Sequence, residues 1–307
     1  MTIFKCLILL FGCIVFSVDA KYVAFTFDDA PRSAKGYFDG PTRAQKLIEE
    51  LKKHELSQVA FFANSKSLDG EGQARLLAYA NAGHIIANHT HSHPDINKTD
   101  LNTYIREIET AHHVLKEYPN FKSWFRFPYL REGNTIIKRD GVRKYLEKMG
   151  YFNAYITLNN YDWYLENLFQ QAVQNERKIN FDKLKALYID VLIQGAEYYD
   201  SLAVKHLKRA PKHVLLLHEM DLTALFVGDL ADAFRKKGWR VISPVEAYQD
   251  AIANYQTNVV MKYNPGRIGE LAKDNGQKKQ LWHNTLNESY LKKRFMEEVI
   301  DVKQLQP

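Results

Sequence analysis

The stretch Ile85-Ile86-Ala87-Asn88-His89-Thr90-His91-Ser92-His93-Pro94 joins a short apolar run to three histidines at alternate positions. Ile85 to Asn88 reads as a buried strand, and the histidines follow it directly. Neutral imidazole is the commonest protein metal ligand. Two histidines four apart project to one side of a helical turn, while the residue midway points elsewhere. The spacing therefore predicts that His89 and His93 share a metal and that His91 does not. Taken alone, the same cluster also fits a polar loop of solvated histidines, and as a metal site it needs a third ligand from elsewhere.

On both sides of this stretch the chain alternates strand and helix. Strands are expected at Tyr22–Phe27, Val59–Ala63, Ile85–Asn88, Trp124–Phe127, Phe152–Leu158, Val214–Leu217 and Arg240–Ile242. Between them lie amphipathic stretches. Pro41 opens a helix whose Ala44, Leu47, Ile48 and Leu51 keep the three-and-four spacing of one buried face. Helices are also predicted at Gln73–Ala82, Asp100–Tyr118, Thr135–Met149, Trp163–Arg177, Phe181–Lys208 and Leu222–Lys237, several of them stopped by glycine. Seven strands alternating with helices predict an α/β fold, a distorted (β/α) barrel of about seven parallel strands, in one domain over residues 21–250. Seven is one short of the common eightfold barrel, which leaves room for imperfect closure. Beyond Asp250 the pattern breaks. The tail, residues 251–307, is rich in Lys, Asn and Gln with one helix expected at Leu286–Val299, and it reads as an extension packed on the domain.

A chain of 307 residues with 46% hydrophobic and 25% charged residues can bury a full core. The net charge of +6 is mild, and its basic residues are scattered over apparent helix faces with no stripe that argues for nucleic acid. At the N-terminus, Lys5 precedes an apolar run from Cys6 to Val18, and Val18-Asp19-Ala20 offers small residues to a signal peptidase. Residues 1–20 are read as a secretory signal cleaved after Ala20, too short for a good membrane span. Both cysteines, Cys6 and Cys13, lie inside it. The mature chain would then be exported without disulfides, cysteine nucleophiles or thiolate metal sites.

Parallel α/β folds place their active sites just past the C-terminal ends of the strands. There this sequence puts Thr26-Phe27-Asp28-Asp29, then His89 to His93, then Arg126-Phe127-Pro128-Tyr129, then Tyr161-Asp162-Trp163, and finally Leu216-Leu217-His218. Five of seven strands thus deliver an ionisable group to one rim.

This set resembles the polysaccharide deacetylases of the NodB-homology type, carbohydrate esterase family 4, over about Tyr22 to Glu246 and in family order. The Thr-Phe-Asp-Asp, His-x-x-x-His and Arg-x-Pro-Tyr motifs are complete; Asp162-Trp163 and Leu216-Leu217-His218 stand for the two looser ones. The resemblance implies that Asp29, His89 and His93 hold one divalent metal. Zinc suits this nitrogen and oxygen set, though cobalt, nickel or manganese would also fit. It implies Asp28 as general base, oriented by Arg126, and the Tyr129 backbone N–H as a donor to the oxyanion. His218 would be the general acid, held protonated by Asp162. Trp163 and Leu216 would line the pocket for the acetyl methyl.

The activity so implied is removal of N-acetyl groups from an amino-sugar polymer, chitin-like or peptidoglycan, by a secreted or periplasmic enzyme. Relatives of this fold also hydrolyse O-acetyl esters of xylan or small cyclic imides and ureides, and a glycan-binding module without turnover is the alternative outside enzymes. A pure binder has no use for a base and an acid beside its metal set. The insertion between Asp162 and His218, residues 163–212, is placed to narrow or cap the groove.

Overall fold

The computed structural model describes residues 20–300. The expected signal, apart from Ala20, and the last seven residues lie outside the described residues. Seven strands and their helices alternate as anticipated. The first half runs β1 (Lys21–Ala30), α1 (Gly40–Lys53), β2 (Ala60–Ala63), α2 (Glu71–Asn81), β3 (Ile85–Asn88), α3 (Leu101–Leu115), β4 (Phe121–Phe125), α4 (Ile136–Lys148) and β5 (Phe152–Asn153). The second half runs α5 (Asp162–Gln174), α6 (Phe181–Leu207), β6 (Lys212–His218), α7 (Asp221–Lys236), β7 (Trp239–Val241) and the single turn α8 (Pro244–Ala247).

All strand pairs are parallel, in the order β5-β4-β3-β2-β1-β6, with β7 beside the start of β1. Every residue of β2 and β3 is buried, as befits parallel strands covered on both faces. Local chemistry sets the helix starts. Asp39 caps α1 by accepting from the Thr42 N–H at 2.7 Å, with Pro41 in the first turn. Asp100 caps α3 from the Thr103 N–H at 3.0 Å.

Two expectations are corrected here. The fifth strand, read as Phe152–Leu158, pairs with β4 over only two residues. The chain then crosses the barrel: the Ala154 N–H still donates to Phe125 O, but Leu158 forms a parallel bridge with Leu215 of β6. With seven strands in place of eight, one stretch has to serve both neighbours, and it closes the curled sheet through a single bridge. The seventh strand is not a further stave of the ring. It pairs with β1 at Lys21–Val23, below the point where β2 takes over at Thr26.

The extension also differs from one helix at Leu286–Val299. It forms α9 (Arg267–Asp274), α10 (Glu288–Arg294) capped by the Asn287 side chain, and a wider π-turn over Phe295–Val299. It packs on the insertion, α9 and the π-turn against α6 and α10 against α5. Among the described residues no helix is long and apolar enough to cross a membrane.

Candidate active site

Between Phe27 and Ala30 the pairing of β1 with β2 slips by one residue, and Asp29 adopts φ +64°. A bulge of this kind re-aims a side chain beside a site. It lets the adjacent carboxylates diverge, so that Asp28 and Asp29 have different main partners, although His89 Nε2 also lies 3.8 Å from Asp28 Oδ2. Asp28 receives the Arg126 guanidinium, Nη1 to Oδ1 at 2.6 Å. Asp29 Oδ1 lies 3.2 Å from His93 Nε2 and 3.6 Å from His89 Nε2.

The histidines reach that point by an irregular turn, not by the helical one expected. Thr90 and His93 both have positive φ, and the His93 N–H donates to Thr90 Oγ1 at 3.1 Å. The Thr90 N–H donates to Asn88 Oδ1 at 2.8 Å. Short side chains that bond to nearby backbone favour such turns over helix. His91 points away and hydrogen-bonds with Ser65 Oγ at 2.8 Å. His89 Nδ1–H donates to the Arg126 carbonyl at 2.8 Å, which fixes the tautomer and leaves Nε2 with its lone pair toward Asp29.

Among the described residues, Asp29, His89 and His93 are the one group of three whose ligand atoms lie close enough to hold a cation, all within 4.8 Å of one another. The donor set fits a divalent metal. Asp29 Oδ1 is buried and accepts no hydrogen bond. Burial pushes the Asp29 carboxyl up, but the charges of His93, His218, His89 and Arg32 outweigh it and hold the group well below the usual range. Burial pushes His93 down to about 4, so its imidazole is neutral where a ligand must be.

Arg126 is fully buried and satisfied on every side. It donates to Asp28, to Thr26 Oγ1 at 2.8 Å, to the Ala154 carbonyl at 2.9 Å and to Tyr248 Oη at 2.9 Å, and its plane lies 3.8 Å from the Phe62 ring centre. Across the site, His218 Nδ1–H donates to Asp162 Oδ1 at 2.8 Å, and the His218 N–H to the other carboxylate oxygen, also at 2.8 Å. Burial alone would lower the His218 pKa; the Asp162 charge and hydrogen bond outweigh it and raise the pKa above its ordinary value. Asp162 opens α5, and Asn160 positions it by accepting from its N–H and donating to the Leu216 carbonyl.

Asp28, Asp29, His89, His93, Tyr129, Trp163, Leu216 and His218 line one cleft of about 910 Å³. Arg126 and Asp162 stand behind it. Tyr129, at φ +57°, lays its ring edge-on to His93 with centroids 4.5 Å apart and stays half exposed. Several residues at or behind the cleft carried no sequence signal. Arg32 brings Nη1 to 3.5 Å from Asp29 Oδ2, and Tyr248 braces Arg126. Tyr263, Asn264, Trp282 and Glu288 come from the extension, so the tail forms part of the cleft wall. Glu132, three residues past Tyr129, is buried against Arg143 and Arg267 and does not line the cleft.

The profile of the family described as "Polysaccharide deacetylase" matches residues 17–154, a span that holds both aspartates, both metal-facing histidines and Arg126. Over those residues the chain is similar to that family. A peptidoglycan-N-acetylglucosamine deacetylase of Bacillus cereus is 29% identical over 108 residues, 35% of this chain and 36% of that protein. An uncharacterised 30.6 kDa protein of Geobacillus stearothermophilus is 27% identical over 143 residues, 47% of this chain and 49% of that one. The chain thus spans between a third and a half of the length of these curated relatives. The deacetylase fold extends further than the sequence match. A solved peptidoglycan N-acetylglucosamine deacetylase superposes over 75% of this chain and 89% of its own, with TM-score 0.50 at 18% identity. A mutant family 4 pseudoenzyme with restored activity does so over 75% and 68%, with the same score and identity.

Proposed function

We propose that this chain is a metal-dependent hydrolase that removes N-acetyl groups from an amino-sugar polymer or oligomer, chitin-like or peptidoglycan. The observation that carries the reading is the separation of roles between neighbours. Asp29 faces two imidazoles with an unpartnered oxygen, whereas Asp28, one residue earlier, is held by Arg126. A divalent cation held by Asp29, His89 and His93, most simply zinc, polarises a carbonyl and lowers the pKa of water.

This chain's own residues supply the rest. Asp28, oriented by Arg126, accepts the proton of the attacking water. The Tyr129 N–H donates to the oxyanion as the acetamide carbon becomes tetrahedral. His218, protonated through its pairing with Asp162, gives its proton to the departing amine, and acetate and a free amino sugar result. Leu216 and Trp163 offer the acetyl methyl an apolar wall. The apolar run of Cys6 to Val18 supports placement outside the cytoplasm, where such polymers lie.

The test is acetate release from N-acetylglucosamine oligomers and from peptidoglycan, with Asp28→Asn and His93→Ala as controls. Undiminished activity in either variant would sink the mechanism.

A further inference from the structure

Few large apolar side chains are exposed among the described residues, yet three aromatic ones line this cleft: Tyr129 at 53%, Tyr263 at 55% and Trp282 at 40% exposure. Tyr263 and Trp282 belong to the extension and lie outside residues 17–154 that match the family profile. Exposed aromatic surface gathered at one concavity marks a place that something covers.

The rings are held ready. The Arg131 guanidinium lies 5.1 Å from the ring centres of both Tyr129 and Tyr263, and an ion pair with Asp95 fixes it. The backbone around Tyr263 is clamped as well. Asn97 donates to the Lys262 carbonyl at 3.0 Å, and Asn264 donates to the buried Glu270 at 2.6 Å. Three residues on from Asn264, the Arg267 N–H bonds to the Ile156 carbonyl at 2.9 Å. Gly266, at φ +90°, allows that close approach, since a Cβ there would meet Ile156 Cδ1 at 2.8 Å. The extension is therefore docked on the barrel in a way that presents Tyr263 to the cleft.

We infer that the extension builds a distal sugar subsite, in which Tyr263 and Trp282 stack on a pyranose ring next to the one whose acetamide lies at Asp29, His89 and His93. This rests on the deacetylase reading above. A cleft of about 910 Å³ stands at the upper end of the range for small-ligand sites, so it has room beyond one sugar. A pyranose presents C–H groups on its faces and hydroxyls around its edge. Flat aromatic walls with Arg131 and Glu288 at the rim complement both. Tyr263, positioned by Arg131 and a clamped backbone, loses little freedom on binding.

The experiment follows affinity and turnover over N-acetylglucosamine oligomers from dimer to hexamer. It compares the full chain with Tyr263→Ala, Trp282→Ala, the ring-keeping Tyr263→Phe and Trp282→Phe, and Tyr290→Ala as an exposed aromatic outside the cleft. Calorimetric titration with each oligomer is run alongside acetate release. In the wild type, affinity rises with oligomer length. Each alanine variant loses about ten-fold in affinity and kcat/KM on the longest oligomers, carried by KM, and little on the dimer, as loss of one aromatic contact would give. The phenylalanine variants, which keep an aromatic face, retain most of the length dependence that the alanine variants lose, and Tyr290→Ala behaves as wild type. An equal loss at every length, or none, overturns the subsite. Binding through these rings without acetate release would refute the deacetylase reading alone, and acetate release indifferent to both alanine changes would refute the subsite alone.

Discussion

Asp28 and His218 are register partners on adjacent parallel strands, β1 and β6. In a parallel pair, residues in register point to the same face, so the proposed base and acid stand side by side without any loop to place them. The backbone ties them further, as the Glu219 N–H donates to the Asp28 carbonyl at 3.1 Å. Asp29 leaves this ladder through its positive φ and turns to the histidines. One bulged strand thus offers consecutive carboxylates, one to the proposed base–acid pair and the next to the proposed metal cluster.

Removing the Asp28 charge while keeping its shape tests the first half of that division. Asp28→Asn is expected to lower kcat by about 10²–10⁴-fold, the usual contribution of a general base. Metal content, measured on the purified protein, stays at wild-type stoichiometry. Arg126→Met acts differently. It leaves Asp28 buried without its cation, and loss of one partner of such a pair costs about 3–5 kcal/mol. Urea denaturation separates the two variants.

Much of this arrangement was legible because the strand runs are short, apolar and each followed at once by a reactive residue. β3 falls where its Ile-Ile-Ala-Asn run places it, and the long helices α5 and α6 begin and end within a few residues of expectation. The fifth strand misled because Phe152 to Leu158 stays suitable for a strand throughout, while the chain changes partner in the middle. His89 and His93 do meet Asp29, but through backbone at positive φ that a helical spacing argument does not contain. Tyr263 and Trp282 were invisible for a different reason. They lie in a polar tail without periodicity, and only its docking on the barrel brings them to the cleft.

The pairing of His218 with Asp162 fixes a pH dependence. The His218 pKa is raised, so the imidazolium persists to higher pH than in an unpaired histidine. As a general acid it fails as pH rises through that raised value. Asp162→Asn removes the charge that opposes burial, and the alkaline limb of kcat against pH should move to lower pH. Stability follows the same sign. The pair contributes fully below the unfolded pKa of histidine and is lost as pH rises through the folded one. An alkaline limb unmoved by Asp162→Asn would remove His218 from the acid role.

Metal binding carries the opposite sign at low pH. His93 is neutral down to about pH 4 because burial disfavours its charge. The His93 ligand should therefore not limit cation affinity in mildly acidic solution, and should begin to weaken it as pH falls toward that value. Equilibrium dialysis of zinc against pH reads this directly. At a hundred-fold excess over Kd, zinc stabilises the fold by about 2.7 kcal/mol, and chelation removes it. His89→Ala and His93→Ala should show no such increment, whereas His91→Ala, whose ring faces Ser65, should keep it.

The extension is fastened by buried charge, and that fastening can be cut. Arg267 pairs with Glu270 at 2.6 Å, lies 3.8 Å from Glu132 and sits 4.2 Å from the Tyr155 ring centre, all out of solvent. Arg267→Met would leave Glu270 buried without its cation and Glu132 with Arg143 alone, at a cost of about 3–5 kcal/mol. The sheet is formed without any strand of the tail, so the loss should fall first on the tail. Limited proteolysis is expected to cut the variant between residues 255 and 285 under conditions that spare the wild type. Arg267→Met with Glu270→Gln should recover part of the resistance, since the carboxylate left without a cation is then gone. Equal resistance in the single variant would mean that the apolar contacts of α9 and α10 with the insertion hold the tail unaided.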